Sequence, residues 1–211
     1  MLKINFLGDS ITEGMLATSP DKSFVNVVGQ LLNCETRNYG IGGTRIAKQK
    51  LPTVNEPRWD EDFIGRVPSM DDDADFVFVF GGTNDYGHGD APMGKLGDNT
   101  PYTFYGAVNY LVDELLKKYK KETIIFILPL YRVDENNPRG DGTKPYAGEP
   151  LSVYRKAMEE VLTMRGIEIF DIKEKVGKAE NNSLIEDGLH PSDEGHKFIA
   201  TLISEFVRQR L

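Results

Sequence analysis

The strongest constraint on how this chain can fold is a rhythm. Five short segments rich in β-branched and aromatic residues, Lys3 to Leu7, Glu35 to Tyr39, Asp75 to Phe80, Thr123 to Leu128 and Ile167 to Asp171, alternate with stretches whose apolar residues recur every three or four positions. The first pattern predicts strands and the second amphipathic helices. The clearest helix is expected over 103–119, where Phe104, Val108, Leu111, Val112, Leu115 and Tyr119 share one face. Others are expected over 152–164, after Pro150, and near the C-terminus, where Phe198, Ile199, Leu202, Ile203, Phe206 and Val207 form a wide stripe; Phe24 to Leu32 is a shorter candidate. Strands separated by helices pair in parallel through right-handed crossovers, which predicts an α/β fold with a central sheet covered on both faces. The nearly unbroken apolar runs Phe76 to Phe80 and Ile124 to Leu128 suit strands buried on both sides. In such sheets ligands gather at the carboxyl ends of the strands.

The strand-and-helix units occupy the whole of the 211 residues, so one domain over residues 1–211 is expected. A chain of this length buries roughly 70% of its unfolded surface and needs no metal or disulfide to stay folded. Cys34 is the single cysteine, and it reads as a small buried thiol rather than a reactive one. There are 33 acidic and 25 basic side chains, a net charge of −8, which argues against nucleic acid or an anionic membrane as partner. The apolar run at Met1 to Leu7 is too short for a signal peptide, and no stretch approaches the roughly 18 apolar residues that span a bilayer, so a cytoplasmic location is expected. No Cys/His cluster has zinc spacing, and Asp71, Asp72 and Asp73 read as a solvated turn; no metal is expected. The segment 129–150, crowded with Pro, Gly and Asn, is long for a connection and reads as a loop able to reach substrate. Nothing in the sequence speaks to oligomeric state.

Four strand-end segments carry chemically capable residues. They are Gly8-Asp9-Ser10-Ile11-Thr12-Glu13-Gly14, Asn38-Tyr39-Gly40-Ile41-Gly42-Gly43-Thr44, Gly81-Gly82-Thr83-Asn84-Asp85 and Asp187-Gly188-Leu189-His190-Pro191. Each alone is turn or cap chemistry. Together they supply what acyl transfer requires: a hydroxyl nucleophile, an imidazole to take its proton, a carboxylate to orient the imidazole, and donors for an oxyanion. The two-residue gap between Asp187 and His190 lets the carboxylate reach Nδ1 and leaves Nε2 facing Ser10. His196, in the C-terminal helix, reads as a surface or helix-packing residue, and His88 as a loop residue able to touch substrate. Gly89 to Lys95 imitates a phosphate-binding loop, but Leu96 stands where a magnesium-binding hydroxyl belongs.

Gly-Asp-Ser near the start, a glycine-rich turn after the second strand, Gly-Gly-Thr-Asn-Asp after the third and Asp-x-x-His near the end resemble the SGNH (GDSL-type) hydrolase family over almost the whole chain. The resemblance implies a three-layer α/β/α, flavodoxin-like fold around a mostly parallel five-stranded sheet, and ester hydrolysis without a cofactor. It implies Ser10 as nucleophile, His190 as general base and acid, Asp187 as its orienting carboxylate, and an oxyanion hole of Ser10 N–H, Gly43 N–H and the Asn84 amide. Thr44 stands where the family often has aspartate, which keeps Gly42 open as the alternative to Gly43. Tyr86, His88, Tyr131, Arg132, Tyr146 and Trp59 are the candidate substrate-binding residues, with Arg58 and Tyr102 nearby in sequence. Aromatic and polar groups favour deacetylation of a sugar or another short polar ester. Lysophospholipid or thioester hydrolysis is the runner-up, and a non-catalytic carbohydrate-binding module the alternative of another class.

Overall fold

The computed structural model describes residues 1–179 and 182–211. Five strands, β1 (Lys3–Gly8), β2 (Glu35–Gly40), β3 (Phe76–Phe80), β4 (Ile124–Ile127) and β5 (Glu168–Ile169), form one sheet in the order β2-β1-β3-β4-β5. Every neighbouring pair is parallel, so the expected mostly parallel sheet is wholly parallel among the described residues. The helices are α1 (Ser10–Glu13), α2 (Phe24–Leu32), α3 (Phe63–Arg66), α4 (Thr83–Gly87), α5 (Phe104–Leu116), α6 (Leu151–Arg165), α7 (Lys173–Val176) and α8 (Asp193–Arg208).

The two-residue period of the strands divides the core in two. Leu7, Val77, Val79, Ile124 and Phe126 pack against α3, α5 and α6, while Ile4, Phe6, Phe78, Ile125 and Ile127 pack against α2, α7 and α8. This is the α/β/α sandwich, and the strand order is the flavodoxin-like one whose direction reverses between β1 and β3. Phe6 and Phe78 stack at 5.4 Å on the second face, with Phe24 edge-on to Phe6 at 5.5 Å. Such pairs add to the stabilisation from burial alone.

Local signals set the helix ends. Thr103 caps α5 through Gly106 N–H at 3.2 Å, Ser192 caps α8 through Gly195 N–H at 3.2 Å, and Gly166 closes α6 in the left-handed conformation. β5 is two residues long rather than the expected five, because Asp171 leaves the sheet to accept from Lys173 N–H at 3.0 Å and to pair with Arg155 at 2.6 Å. Asp71 and Asp73 are more engaged than a solvated turn: Asp73 pairs with Lys3 and with Arg37, and the Asp71 carboxylate accepts from the Tyr39 hydroxyl at 2.8 Å.

The register fixes where chemistry can occur. Gly8 lies opposite Gly40 on one side and Phe80 on the other, so the loops after β1, β2 and β3 open at the same level of one sheet edge. A Cβ on Gly40 would lie 2.2 Å from Glu13 N; glycine there lets α1 settle against the end of β2.

Candidate active site

Ser10 is the first residue of α1, directly after the β1 terminus. The Asp9 carboxylate accepts from Ile11 N–H at 3.0 Å and caps the turn, which holds Ser10 at the sheet edge. Burial pushes the Asp9 carboxyl up to about 7, against the opposing pull of the Ile11 N–H and of Arg66. Ser10 Oγ lies 2.9 Å from His190 Nε2, and His190 Nδ1 lies 2.7 Å from Asp187 Oδ2. Asp187 Oδ1 also accepts from the backbone N–H of His190 at 2.7 Å and of Leu189 at 3.0 Å. Burial raises the Asp187 carboxyl, but the His190 and Leu189 donors outweigh it and hold it below the usual carboxylate range. With Nδ1–H committed to this carboxylate, Nε2 presents a lone pair to the Ser10 hydroxyl. A serine so placed can pass its proton to the imidazole as it attacks a carbonyl.

The glycine loop after β2 faces Ser10. Gly42 N–H donates to Glu13 Oε2 at 2.8 Å and is therefore occupied, whereas Gly43 N–H has no acceptor among the described residues. Gly43 holds φ at +76°, and a Cβ there would lie 2.0 Å from Trp59 Nε1, so both backbone and packing demand glycine. Asn84, in the first turn of α4 and 5% exposed, spends one amide N–H on Thr44 O at 3.0 Å and keeps the other. Thr44, where aspartate is common in the resembled family, donates its hydroxyl to Ile41 O at 2.7 Å and accepts from Arg66 Nη2 at 2.9 Å. Arg66 also donates to Gly8 O at 3.0 Å and to Tyr39 O, tying the ends of β1 and β2. Asp85 closes the loop from below, accepting from Ile46 N–H at 2.9 Å and Ala47 N–H at 2.8 Å; burial raises its carboxyl to about 6.

The candidate substrate residues separate. His88 and Trp59 come together beside Gly43, their rings stacked at 4.1 Å. Tyr86 and Arg132 do not line a substrate surface. Tyr86 is fully buried with its hydroxyl turned to the Asp134 and Asn137 carbonyls, and Arg132 is 6% exposed, gripping Asp134 and donating to Thr83 O at 3.1 Å. Both are apt for a surface loop by type, but the 129–150 segment folds back over them. Tyr131 has its hydroxyl on Glu174 at 2.6 Å and its ring under Lys173, so α7 holds it. Tyr146 is 82% exposed and lines a cavity of about 620 Å³ with Lys144, Tyr154, Pro92, Met93 and Asp90, a cavity whose walls include neither Ser10 nor His190. Arg58 pairs with Glu13 at 2.6 Å. His196 is buried, its Nε2 donating to Met15 O at 3.0 Å and its Nδ1 accepting from Phe24 N–H at 3.3 Å; it packs helices. Among the described residues no group of three or more His, Cys, Asp or Glu side chains could hold a metal ion, and no helix is long and apolar enough to cross a membrane.

The model of the GDSL-like lipase/acylhydrolase family matches residues 6–198. The chain belongs to that family. It is a carboxylic ester hydrolase, an assignment carried by family membership rather than by the geometry alone. No curated protein matches the sequence. Among solved structures, a protein from Lactobacillus plantarum is 27% identical, with a TM-score of 0.81 over 100% of this chain and 98% of that one. A carbohydrate acetylesterase from Sinorhizobium meliloti shares 17% identity and a TM-score of 0.74, with 100% of both chains covered. The M. smegmatis aryl esterase shares 17% identity and a TM-score of 0.73, again over 100% of both chains. At that identity the last two establish likeness of fold.

Glu13, Arg66, Asp85 and Asp141 surround the site of this GDSL-family chain without having been singled out from the sequence. Glu13 and Asp85 had a local signal, their places in the strand-end segments of Ser10 and Asn84. All four act on partners far away in the chain: Glu13 on Gly42, Arg66 on Gly8, Asp85 on Ile46, and Asp141 on His88 at 3.2 Å.

Proposed function

We propose that this GDSL-family hydrolase removes short acyl groups from polar esters, with an acetylated sugar as the first substrate to test, and that Ser10, His190 and Asp187 perform the chemistry. The observation that carries the reading is the unbroken chain of hydrogen bonds from Ser10 Oγ through His190 to Asp187, at 2.9 and 2.7 Å, at the sheet edge where β1, β2 and β3 end together. Ser10 Oγ attacks the ester carbonyl while His190 Nε2 takes its proton and Asp187 stabilises the imidazolium. The oxyanion accepts from Ser10 N–H, Gly43 N–H and the uncommitted Asn84 N–H. His190 then protonates the departing alcohol oxygen, and a water repeats the sequence to free the acid. Gly43 is preferred to Gly42 because the Gly42 N–H is taken by Glu13.

Two supports favour a small polar ester. Glu13, Arg58, Trp59 and His88 crowd the glycine loop with polar groups and two stacked rings. The fold is also shared with a carbohydrate acetylesterase and an aryl esterase. Ser10→Ala is expected to abolish hydrolysis of an aryl acetate at unchanged Tm, and an organophosphonate is expected to label wild type but not the variant. Unchanged turnover in Ser10→Ala refutes the assignment. On a series of acyl lengths from acetyl to decanoyl with one leaving group, activity is expected to peak at the short end; a peak at eight carbons or above overturns the sugar-ester reading in favour of a lipid.

A further inference from the structure

We infer that His88 and Glu13 are positioning residues that clamp the glycine loop from both sides and aim the Gly43 N–H. This rests on the reading that Gly43 N–H is an oxyanion donor. A Gly-Gly pair has more torsional freedom than any other dipeptide, so the orientation of the peptide between Gly42 and Gly43 must be imposed by its neighbours. On the upstream side, Gly42 N–H is held by Glu13 Oε2 at 2.8 Å, and Glu13 is braced through its other oxygen by Arg58 at 2.6 Å. On the downstream side, Gly43 O lies 2.9 Å from His88 Nε2. A carbonyl can only accept, so Nε2 is the donor there.

His88 is in turn held on three sides. Its ring is stacked on Trp59 at 4.1 Å and 15°, its backbone N–H donates to Asn84 O at 3.0 Å, and its Nδ1 lies 3.2 Å from Asp141 Oδ2, a contact that is a hydrogen bond only when both ring nitrogens carry protons, because Nε2 holds the one given to Gly43 O. Asp141 is itself fixed, accepting from Thr143 N–H at 3.0 Å and Thr143 Oγ1 at 2.6 Å while its own N–H donates to Gly87 O at 3.0 Å. The same Trp59 ring fills the space where a Cβ of Gly43 would lie. The molecule thus contains two carboxylate–imidazole pairs. Asp187–His190 faces the Ser10 hydroxyl, and Asp141–His88 faces a backbone carbonyl and can only hold it still.

A displacement of about 1 Å in a catalytic group can cost on the order of 100-fold in rate. His88→Phe keeps the stack on Trp59 and removes the donor. It is expected to lower kcat on an aryl acetate by about 10- to 100-fold with KM within about threefold, since the ground-state carbonyl depends less on the oxyanion donors than the transition state does. His88→Gln returns an N–H to Gly43 O and is expected to recover most of the loss. Affinity for a boronic acid, which forms a tetrahedral adduct, should fall in His88→Phe by about the same factor as kcat/KM. Wild-type kcat in a folded His88→Phe, or equal impairment in the Phe and Gln variants, overturns the clamp. Should His88→Phe fail to fold, Glu13→Ala at its more exposed position tests the opposite side, and an unchanged kcat there overturns the clamp as well. Wild-type protein without esterase activity, or an active Ser10→Ala, refutes the underlying reading instead; an active wild type and a dead Ser10→Ala with unimpaired clamp variants refutes the clamp alone.

Discussion

Replacing Asn84 by alanine separates chemistry from architecture, because the proposed mechanism gives the two amide hydrogens different tasks. One is bonded to Thr44 O at 3.0 Å in a residue only 5% exposed. Its loss leaves a buried carbonyl without a donor, a cost of about 1–3 kcal/mol in stability. For a chain of this size that corresponds to a Tm lower by roughly 2–12 °C. The other hydrogen is assigned to the oxyanion, which exists only in the transition state. Removing such a donor costs about 10²- to 10³-fold in kcat, or about 2.7–4 kcal/mol of barrier. Initial rates on an aryl acetate across a range of concentrations, with Tm measured on the same samples, give both quantities. The expected outcome is a kcat lower by about two to three orders of magnitude, a modest change in KM, and a Tm drop within the stated window. A kcat within threefold of wild type alongside the Tm drop would show that Asn84 only braces the glycine loop, and the oxyanion assignment would fall with it.

Two further outcomes follow from the same geometry. Asp187→Asn should lower kcat by about 10³- to 10⁴-fold with little effect on Tm, because an amide donating to His190 favours the wrong tautomer; a loss below tenfold in kcat would refute the orienting role. Asp9→Asn should alter how stability depends on pH. The folded carboxyl titrates at about 7 and a free aspartate near 3.8, so between those values the native state holds a proton that the unfolded state has lost. Stability from this group is therefore present at low pH and declines as pH rises towards 7, by up to about 4 kcal/mol at 1.36 kcal/mol per pH unit. Asparagine keeps the cap to Ile11 without the charge, so chemical denaturation should show the variant gaining on wild type above pH 7 and not below pH 4; parallel curves would refute the buried-carboxylate argument.

The fold was legible because its signals are local. A strand buried on both faces must be apolar throughout, and Phe76–Phe80 and Ile124–Ile127 are; α2 coincides with the expected Phe24 to Leu32. The candidate triad stood out because a carboxylate and an imidazole with two residues between them share one turn. What escaped the sequence depends on loops folding back. Tyr86 and Arg132 have the composition of substrate-facing residues, yet the carbonyls and carboxylate that satisfy them come from Asp134 and Asn137, about fifty residues from Tyr86. The tie of His88 to Gly43 likewise spans 45 residues, and no local pattern encodes it.

The 129–150 connection is tied to the rest of the site along much of its length: Arg132 donates to Thr83 O, the Asp134 and Asn137 carbonyls accept from the Tyr86 hydroxyl, and Lys144 Nζ donates to Asp85 O at 3.2 Å. Val133 N–H donates to Gly188 O at 2.8 Å, behind the turn that presents His190, and Asp141 reaches His88 behind the glycine loop. Anyone grafting a different connection here to change substrate preference is therefore not free to exchange it wholesale. Arg132, Val133, Asp134, Asn137, Asp141 and Lys144 are fastening points, and the exposed stretch around Tyr146 is where length and composition can vary while the chemistry keeps its alignment. A library that randomises across the fasteners should yield mostly inactive proteins, whereas one that respects them tests new specificities on a working enzyme.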